Sequence, residues 1–248
     1  MTPKGLVRFT RAKRRVMPLI ILLDASASMN EVIDEEGMQR TGEVVVQDGQ
    51  KWEVVTGGTS KLKVTNDAMR AMIASFAAVE RAEVQVCVVA FGGDKARLHV
   101  PMQPATAVAW EDYAADGETP LGSAFAMAKE LLEDRQTVPG DAYRPVVVLV
   151  SDGRPTDADW QARMAAFIGE GRSRKASRMA LAIGQADTTV LRSFLGEQQQ
   201  DFLFTADRAP EMGRFFSFLT MSVAQRSQSP DPDKMVRPAD IKRPADEF

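Results

Sequence analysis

Two reactive residue types are almost missing from this chain of 248 residues. It has one cysteine, Cys87, so it contains neither an internal disulfide framework nor a zinc site built on several cysteines. Its one histidine, His99, lies in a strand-like run rather than in a loop where a general base meets a nucleophile, so a Ser-His-Asp triad is not expected. These two absences remove the commonest routes to covalent and zinc chemistry.

The chain also lacks a strong net charge and a long apolar run. Its formal net charge is -3, so nucleic acid is not an expected partner, because sequence-independent binding relies on a broad positive field. Six cations precede the apolar residues 16–23, and Ala25-Ser26-Ala27 follows, which imitates a signal peptide. However, the run contains Pro18, ends on Asp24 and has about half the length of a membrane span. We predict a buried strand, no membrane association and a cytoplasmic protein.

Hydrophobic periodicity predicts the fold class. Continuous apolar runs, which are typical of strands covered on both faces, occupy residues 17–23, 84–91, 146–150 and 179–183, with a weaker run at 202–204. Helical spacing of apolar residues occupies 62–79, 121–132, 160–168 and 210–223. This alternation predicts an α/β, three-layer, doubly wound fold with a mainly parallel six-stranded sheet. Residues 97–100, which include His99, predict an antiparallel edge strand.

Two regions interrupt this alternation. Residues 43–46 and 51–55 read as short strands around Asp48-Gly49, a pair that favours a tight hairpin turn. After Ser227 the composition turns to Pro, Asp, Lys and Arg, which is typical of a flexible segment. The predicted organisation is a basic N-terminal segment at 1–15, a domain at 16–225 with an insertion at 31–60, and a flexible tail at 226–248.

Oxygen-bearing side chains follow two of the predicted strands and precede one helix. Asp24, Ser26 and Ser28 follow the first strand, Asp152 follows the strand at 146–150, and Thr119 precedes the helix that starts near Leu121. Ligands gather at the carboxyl ends of strands in such sheets. Carboxylates and hydroxyls without nitrogen or sulfur suit Mg²⁺ or Mn²⁺. The sequence therefore predicts a divalent metal site with few anionic ligands.

These motifs resemble a known family. Asp24-x-Ser26-x-Ser28, the threonine in Gly117-Glu118-Thr119-Pro120-Leu121-Gly122, and Asp152-Gly153 are similar to the metal-ion-dependent adhesion site (MIDAS) of von Willebrand factor type A (VWA) domains. The resemblance runs from about residue 17 to about residue 223. Within the family it is nearest to bacterial TerY-like proteins of tellurite-resistance and stress gene clusters, on Ala90-Phe91-Gly92, the Thr119 loop, residues 145–157 and the late Phe215-Phe216-Ser217-Phe218 helix.

The resemblance implies a role for each residue and for the domain. Ser26, Ser28 and Thr119 would offer hydroxyl oxygens to the ion, and Asp24 and Asp152 would act directly or through water. The missing ligand would be a Glu or Asp carboxylate of another protein. The domain would then be an adaptor or scaffold without catalysis of its own, working with a Ser/Thr kinase and a phosphatase in a stress, tellurite-resistance or phage-defence response.

The sequence departs from the family pattern at two places. Ala27 stands where the family usually has glycine, and alanine would be strained if that position needed a positive φ. The insertion is expected to push the first helix away from the metal loop. It would lie beside the ion, where it would either shape partner choice or cover the site, and the sequence does not decide between the two.

Two other functions remain open from the sequence. The domain could be an accessory subunit of an AAA+ ATPase of the MoxR or chelatase kind, as some VWA proteins are. It could also be a metal-dependent phosphohydrolase with Asp24 as nucleophile, although Ser26 stands where such an enzyme has a second aspartate.

Simpler structural roles explain some polar residues. Serine, threonine and aspartate at strand-to-helix junctions are commonly helix caps, and Asp157 and Asp159 are expected to cap the helix that holds Trp160. The cations at 172–178 precede a strand and are typical of a solvent-exposed connection.

Overall fold

The computed structural model describes residues 14–47 and 50–240. The predicted Asp48-Gly49 turn, most of the basic N-terminal segment and the end of the predicted tail lie outside these residues. Within them the strands are β1 Arg15–Asp24, β2 Val32–Asp34, β3 Gln39–Gln47, β4 Gln50–Thr56, β5 Thr59–Ser60, β6 Ala82–Gly92, β7 Lys95–Pro104, β8 Val146–Ser151, β9 Ser177–Ile183 and β10 Leu203–Ala206. The α-helices are α1 Lys61–Ser75, α2 Leu121–Glu133, α3 Trp160–Gly169, α4 Thr188–Leu195 and α5 Ala209–Gln228.

The main sheet has the predicted topology. Its six strands in the described residues follow the order β10-β9-β8-β1-β6-β7. Strand β1 lies between β6 and β8 and pairs in parallel with both. Strand β7, which holds His99, pairs antiparallel with β6 at the edge. The buried-strand interpretation of residues 16–23 is therefore confirmed, since they form the buried β1 in the middle of the sheet.

Helices cover both faces of the sheet, which confirms the three-layer prediction. Helices α1 and α5 pack against each other on one face. Phe125 of α2, Phe167 of α3 and Phe194 of α4 stack together on the other, with ring centroids 5.6–6.0 Å apart. The sequence analysis missed α4, because eight residues are too few for a clear helical period. In the described part of the chain, no helix has both the length and the apolar character needed to cross a bilayer.

The insertion forms a stem and a hairpin. Strands β2 and β5 pair antiparallel as the stem, and β3 and β4 pair antiparallel as the hairpin. The backbone nitrogen of Lys61 donates to the carbonyl oxygen of Glu31 at 3.0 Å, so the two ends of the insertion are joined at its base. The expectation that the insertion pushes α1 away from the metal loop is therefore wrong, because the chain enters the insertion at Glu31 and leaves it at Lys61, and these two residues are hydrogen-bonded.

The end of the described chain packs back on the domain. The predicted domain end at residue 225 falls inside α5, and Arg226 of that helix is fully buried. The Arg226 guanidinium donates to the carbonyl oxygens of Pro232 and Arg144. Asp233 accepts a hydrogen bond from the backbone nitrogen of Arg144 at 2.6 Å. Pro232 and Asp233 thus lie close to the loop before β8.

Candidate metal centre

Three loops meet at the carboxyl edge of the main sheet. The first follows β1, the second precedes α2, and the third follows β8, the neighbour of β1. Backbone hydrogen bonds hold them together: Ala27 donates to the carbonyl of Gly117 at 2.9 Å, and Thr156 donates to the carbonyl of Thr119 at 3.0 Å. The predicted convergence of these loops is therefore present in the structure.

Asp24 lies at the bottom of this site and is fully buried. Its Oδ1 accepts hydrogen bonds from the backbone nitrogen of Ser26 at 2.9 Å and from the Ser26 hydroxyl at 2.5 Å. Its Oδ2 accepts from the hydroxyl of Ser151, the last residue of β8, at 2.5 Å. The adjacency of β1 and β8 thus fixes the orientation of this carboxylate, and Ser151 is a site residue that the sequence analysis missed.

A chain of polar side chains runs from the first loop to the third. The hydroxyl oxygens of Ser26 and Ser28 lie 3.0 Å apart. The Ser28 hydroxyl donates to Oδ1 of Asp152 at 2.7 Å. The side chain of Asp152 has no exposed surface. Two buried carboxylates and two hydroxyls therefore share one small region.

Thr119 is close to the same region. A methyl group replacing the hydrogen on Gly153 would place its carbon 3.1 Å from Oγ1 of Thr119 and 3.8 Å from Oδ2 of Asp24. Both oxygens therefore lie around this glycine, directly after Asp152. The backbone nitrogen of Thr119 donates to the hydroxyl of Thr156 at 3.1 Å, which holds the second loop to the third. All five predicted site residues are brought together.

A buried cation, Lys61, also lies in the site and was missed by the sequence analysis. It is the first residue of α1 and is 7% exposed. Its Nζ donates to Oδ2 of Asp152 at 2.7 Å and also pairs with the carboxylate of Glu31. Burial opposes the charge on Lys61, but the ion pairs with Asp152 and Glu31 outweigh it and raise the pKa above its ordinary value. The sequence signal that could have pointed to Lys61 is its position directly after Ser60, the N-cap of α1. The Ser60 hydroxyl accepts a hydrogen bond from a backbone nitrogen of the first turn.

The electrostatics of the site centre on Asp24. Burial, followed by the negative charge of Asp152, raises the pKa of Asp24 to about 6, although hydrogen bonds from Ser151 and Ser26 oppose the increase. Lys61 pairs with Asp152 and Glu31 but forms no ion pair with Asp24. A cation between the two carboxylates would remove the repulsion that raises this pKa.

Ala27 is not strained. It begins a short 3-10 helix, Ala27–Asn30, whose right-handed backbone suits any L residue. Two positions in this region that require glycine, because of a positive φ or a close backbone contact, are occupied by glycine. Gly117 has a φ of 65°, and a Cβ on Gly92 would lie 2.0 Å from the carbonyl oxygen of Ala25. The departure of residue 27 from the family pattern therefore leaves the loop intact.

The capping role predicted for Asp157 is corrected. Its carboxylate accepts hydrogen bonds from the backbone nitrogens of Gly122 at 3.1 Å and Ser123 at 2.9 Å, which lie in the first turn of α2. Asp159 is at the N-cap of α3 but makes no side-chain cap bond. Asp157 therefore caps the helix that follows Thr119 rather than its own, and it ties the second loop to the third.

The donor chemistry fits a divalent ion with a preference for oxygen. In the described residues no group of three or more histidine, cysteine, aspartate or glutamate side chains is placed to hold a metal. The site instead combines two carboxylates, Asp24 and Asp152, with the hydroxyls of Ser26, Ser28 and Thr119. Such a set matches Mg²⁺ or Mn²⁺ rather than a metal that selects nitrogen or sulfur.

Solved structures share this fold. The chain is similar to proximal thread matrix protein 1 from the mussel byssus, in a structure with a zinc-occupied MIDAS motif (15% identity, 84% of this chain, 48% of that chain, TM-score 0.56). It is similar to a von Willebrand factor type A protein from Catenulispora acidiphila (17% identity, 84% and 42%, TM-score 0.54). It is also similar to the PilB minor pilin from Streptococcus sanguinis (14% identity, 88% and 64%, TM-score 0.58).

The sequence comparisons identify the family. This chain spans between 42% and 64% of the length of the three solved proteins, so their likeness concerns the fold of one part of them. A search of curated proteins finds no match. The model of the von Willebrand factor type A domain matches residues 19–154, which is more than half of the chain and includes all five candidate metal residues. The chain therefore belongs to the von Willebrand factor type A domain family.

Proposed function

We propose that this domain binds one divalent cation through Asp24, Ser26, Ser28, Thr119 and Asp152, and that it uses this site to bind another protein. The observation that carries the proposal is the convergence of three hydrogen-bonded loops on two buried carboxylates. Buried carboxylates in one site repel each other and are costly to keep ionised without a cation. Lys61 balances Asp152 alone, so a compensating charge is still required at Asp24.

The residues favour Mg²⁺ or Mn²⁺ as the resident ion. The hydroxyl oxygens of Ser26 and Ser28 are 3.0 Å apart, and each lies beside one carboxylate, so these two loops would offer four oxygens to a small ion. The solved neighbour with zinc in its MIDAS motif supports divalent binding by this class of site. Zinc is the less favoured ion here, because the donor set has no sulfur or nitrogen.

The partner is proposed to supply a Glu or Asp carboxylate. When bound, a divalent ion would outweigh the net single negative charge of the buried groups Asp24, Asp152 and Lys61, and the resulting positive charge would attract an acidic side chain. Ser28 is only partly buried, so the rim of the site is open to solvent at that residue. Asp24 and Asp152 hold the base of the site and are closed off from a partner.

The pathway is a further part of the proposal. The chain is proposed to act in the cytoplasm as an adaptor or scaffold in a stress, tellurite-resistance or phage-defence response, with a Ser/Thr kinase and a phosphatase. The support is the likeness of the Thr119 loop and residues 145–157 to TerY-like proteins. An AAA+ ATPase is the alternative partner, and identification of the protein that co-purifies with this chain distinguishes the two.

The geometry does not favour a phosphohydrolase. Both oxygens of Asp24 accept hydrogen bonds, and the residue is fully buried, so neither oxygen is placed to attack a phosphate. A nucleophile must reach the substrate.

A metal-dependent capture experiment tests the adaptor proposal. The tagged full chain, its Ser28→Ala variant and its Asp159→Asn variant are used to capture partners from the source cells in Mg²⁺ and in EDTA. Asp159 makes an exposed ion pair with Arg163 and is the matched control. Capture of one partner by the wild type and the control in Mg²⁺ alone supports the proposal. Equal capture in EDTA, or by Ser28→Ala, contradicts it.

A further inference from the structure

A second concave site lies at the opposite edge of the main sheet. It has a volume of about 710 Å³ and lies beside the starts of β1, β8 and β9. Pro145, just before β8, lines it, whereas Ser151 at the end of β8 lies in the metal centre. The six residues of this strand span about 20 Å, so the two sites are separate.

The mouth of this cavity is strongly basic. Five exposed cations line it, namely Arg15, Arg144, Arg174, Lys175 and Lys234. One acidic side chain, Asp233, is present among the described lining residues. None of the five cations forms an ion pair with a carboxylate in the described part of the chain. This concentration of positive charge stands out in a chain whose net charge is -3.

Two further arginines form the inner wall. Arg178 is 8% exposed, and its Nε and Nη1 have no hydrogen-bond partner among the described residues. Arg172 is half-buried, and its Nη1 is also without a partner there. Burial lowers the pKa of Arg178, as expected for a cation held away from water without a counterion. The prediction that these cations form an exposed connection holds for Arg174 and Lys175 and is wrong for Arg178.

The guanidinium groups are oriented by carbonyl oxygens rather than by carboxylates. Arg178 Nη2 donates to the carbonyl of Leu195 at 3.1 Å, and Arg172 Nη2 donates to the carbonyl of Val138 at 2.7 Å. Arg15 lies over the ring of Tyr143, with 4.2 Å between its Cζ and the ring centroid. Carbonyls and rings fix the direction of a guanidinium without cancelling its charge. Arg15, Arg172 and Arg178 are therefore oriented without a bound anion.

These unpaired cations lower the stability of the folded protein unless an anion binds to them. Buried donors without partners destabilise a protein, and charged donors do so more than neutral ones. Several like charges around one cavity add their mutual repulsion. An anion with several oxygens would supply the missing counterion and relieve this repulsion, because planar guanidinium groups bind phosphate through paired hydrogen bonds.

We propose that this cavity binds a small phosphate-bearing molecule with at least two phosphate groups. Seven cations around one cavity exceed what a single phosphate needs. Pro139, Tyr143 and Met235 line the cavity and are partly exposed, which gives it an apolar wall that suits an organic part of the ligand. The volume falls in the range of pockets for small organic ligands. A nucleoside polyphosphate and inorganic pyrophosphate share the required chemistry, and the experiment separates them.

The test is isothermal titration of the full chain with pyrophosphate, ATP and inorganic phosphate in EDTA, so that no ion at the metal centre contributes. We expect pyrophosphate or ATP to bind at least tenfold more tightly than phosphate, and the affinity to fall steeply with added salt. ATP binding more tightly than pyrophosphate shows that the apolar wall takes an organic group. Equal binding shows that the phosphates alone are recognised. Both outcomes support the proposal.

Three variants make the test specific to the cavity. Arg174→Glu with Lys175→Glu changes two exposed side chains and should weaken binding at least tenfold with the fold intact. Arg178→Met should also weaken binding, while raising the melting temperature of the ligand-free protein, because an unpaired buried charge is removed. Arg214→Glu on α5 is the control for a charge reversal away from the cavity and should bind as the wild type does. Three results overturn the proposal: no binding by the wild type, binding by both cavity variants as tight as that of the wild type, or tighter binding of an acidic peptide or RNA oligomer.

Discussion

The ammonium nitrogen of Lys61 lies 2.7 Å from Oδ2 of Asp152, and the same nitrogen pairs with the carboxylate of Glu31. This contact joins the start of α1 to the loop after β8 at the candidate metal centre. It also divides the two buried aspartates, because Asp152 has a cation of its own and Asp24 does not. In the metal-free protein, therefore, the charge of Asp152 is paired with a cation and the charge of Asp24 is not.

Replacement of Lys61 by methionine should destabilise the metal-free protein and leave the metal-bound protein less affected. Loss of one partner from a buried ion pair costs about 3 kcal/mol, and an ion bound at Asp152 would replace the lost charge. Urea unfolding in EDTA and in excess Mg²⁺ measures both states. Lys63→Met, which removes an exposed pair with Asp67, is the control and should change the free energy of unfolding by less than about 1 kcal/mol. Equal losses in EDTA and Mg²⁺ would contradict the prediction.

The stability of the metal-free protein should fall as pH rises through the pKa of Asp24. That pKa is about 6 in the folded protein against an ordinary value of 3.8, so the folded state favours the protonated carboxyl. Asp24 therefore stabilises the fold most below about pH 4, and this contribution is lost between about pH 4 and pH 6. An Asp24→Asn variant, which does not titrate, should lack this component.

The measurement is urea unfolding from pH 4 to pH 8 in EDTA for the wild type and Asp24→Asn. The difference in free energy between the two should change in that window alone. In Mg²⁺ the trend should reverse, because metal binding requires the deprotonated carboxylate and so strengthens as pH rises. Parallel curves for the two proteins in EDTA would show that Asp24 does not have a raised pKa.

Asp157→Ala should destabilise the domain by about 1–2 kcal/mol, because it removes two hydrogen bonds to the first turn of α2. Thermal unfolding measures the change. Asp159→Ala is the matched control two residues away, since it removes no cap bond. Equal effects of the two substitutions would show that the carboxylate of Asp157 is not a cap.

Removal of the hairpin should separate metal binding from partner binding. Val44, Val45 and Val46 are exposed on β3, by 57%, 43% and 67%. Residues 35–58 can be replaced by an Asn-Gly turn on the stem, because Asp34 and Thr59 are already paired. We expect unchanged metal affinity and weaker partner binding, since neighbouring exposed apolar residues are typical of contact surfaces. Tighter partner binding would show instead that the hairpin covers the site.

The sheet and the convergence of the five candidate metal residues were predictable, because apolar runs show the strands and sheet topology places the loops that follow them. Continuous apolar runs in the sequence indicate buried strands. The loops that follow parallel strands lie at the same edge of the sheet, so their residues come close together. The role of Lys61 was not predictable, because 29 residues separate it from Glu31 and only the stem brings the two together. Asp157 lies close in sequence to α3 but caps α2, which depends on tertiary packing. The sequence predicted Arg178 to be exposed with its neighbours. Its side chain is buried at the start of β9 against the end of α4, a helix that hydrophobic periodicity did not predict.

Calorimetric titration of the full chain with Mn²⁺ tests the central claim most directly, with Asp152→Asn, Thr119→Val and the control Asp159→Asn titrated beside the wild type. The account predicts one ion per chain for the wild type and the control, and an affinity lower by roughly tenfold or more in the other two variants, whose substitutions lie on different loops. No binding to the wild type, or the same affinity in all four proteins, would contradict a metal centre built from these three loops.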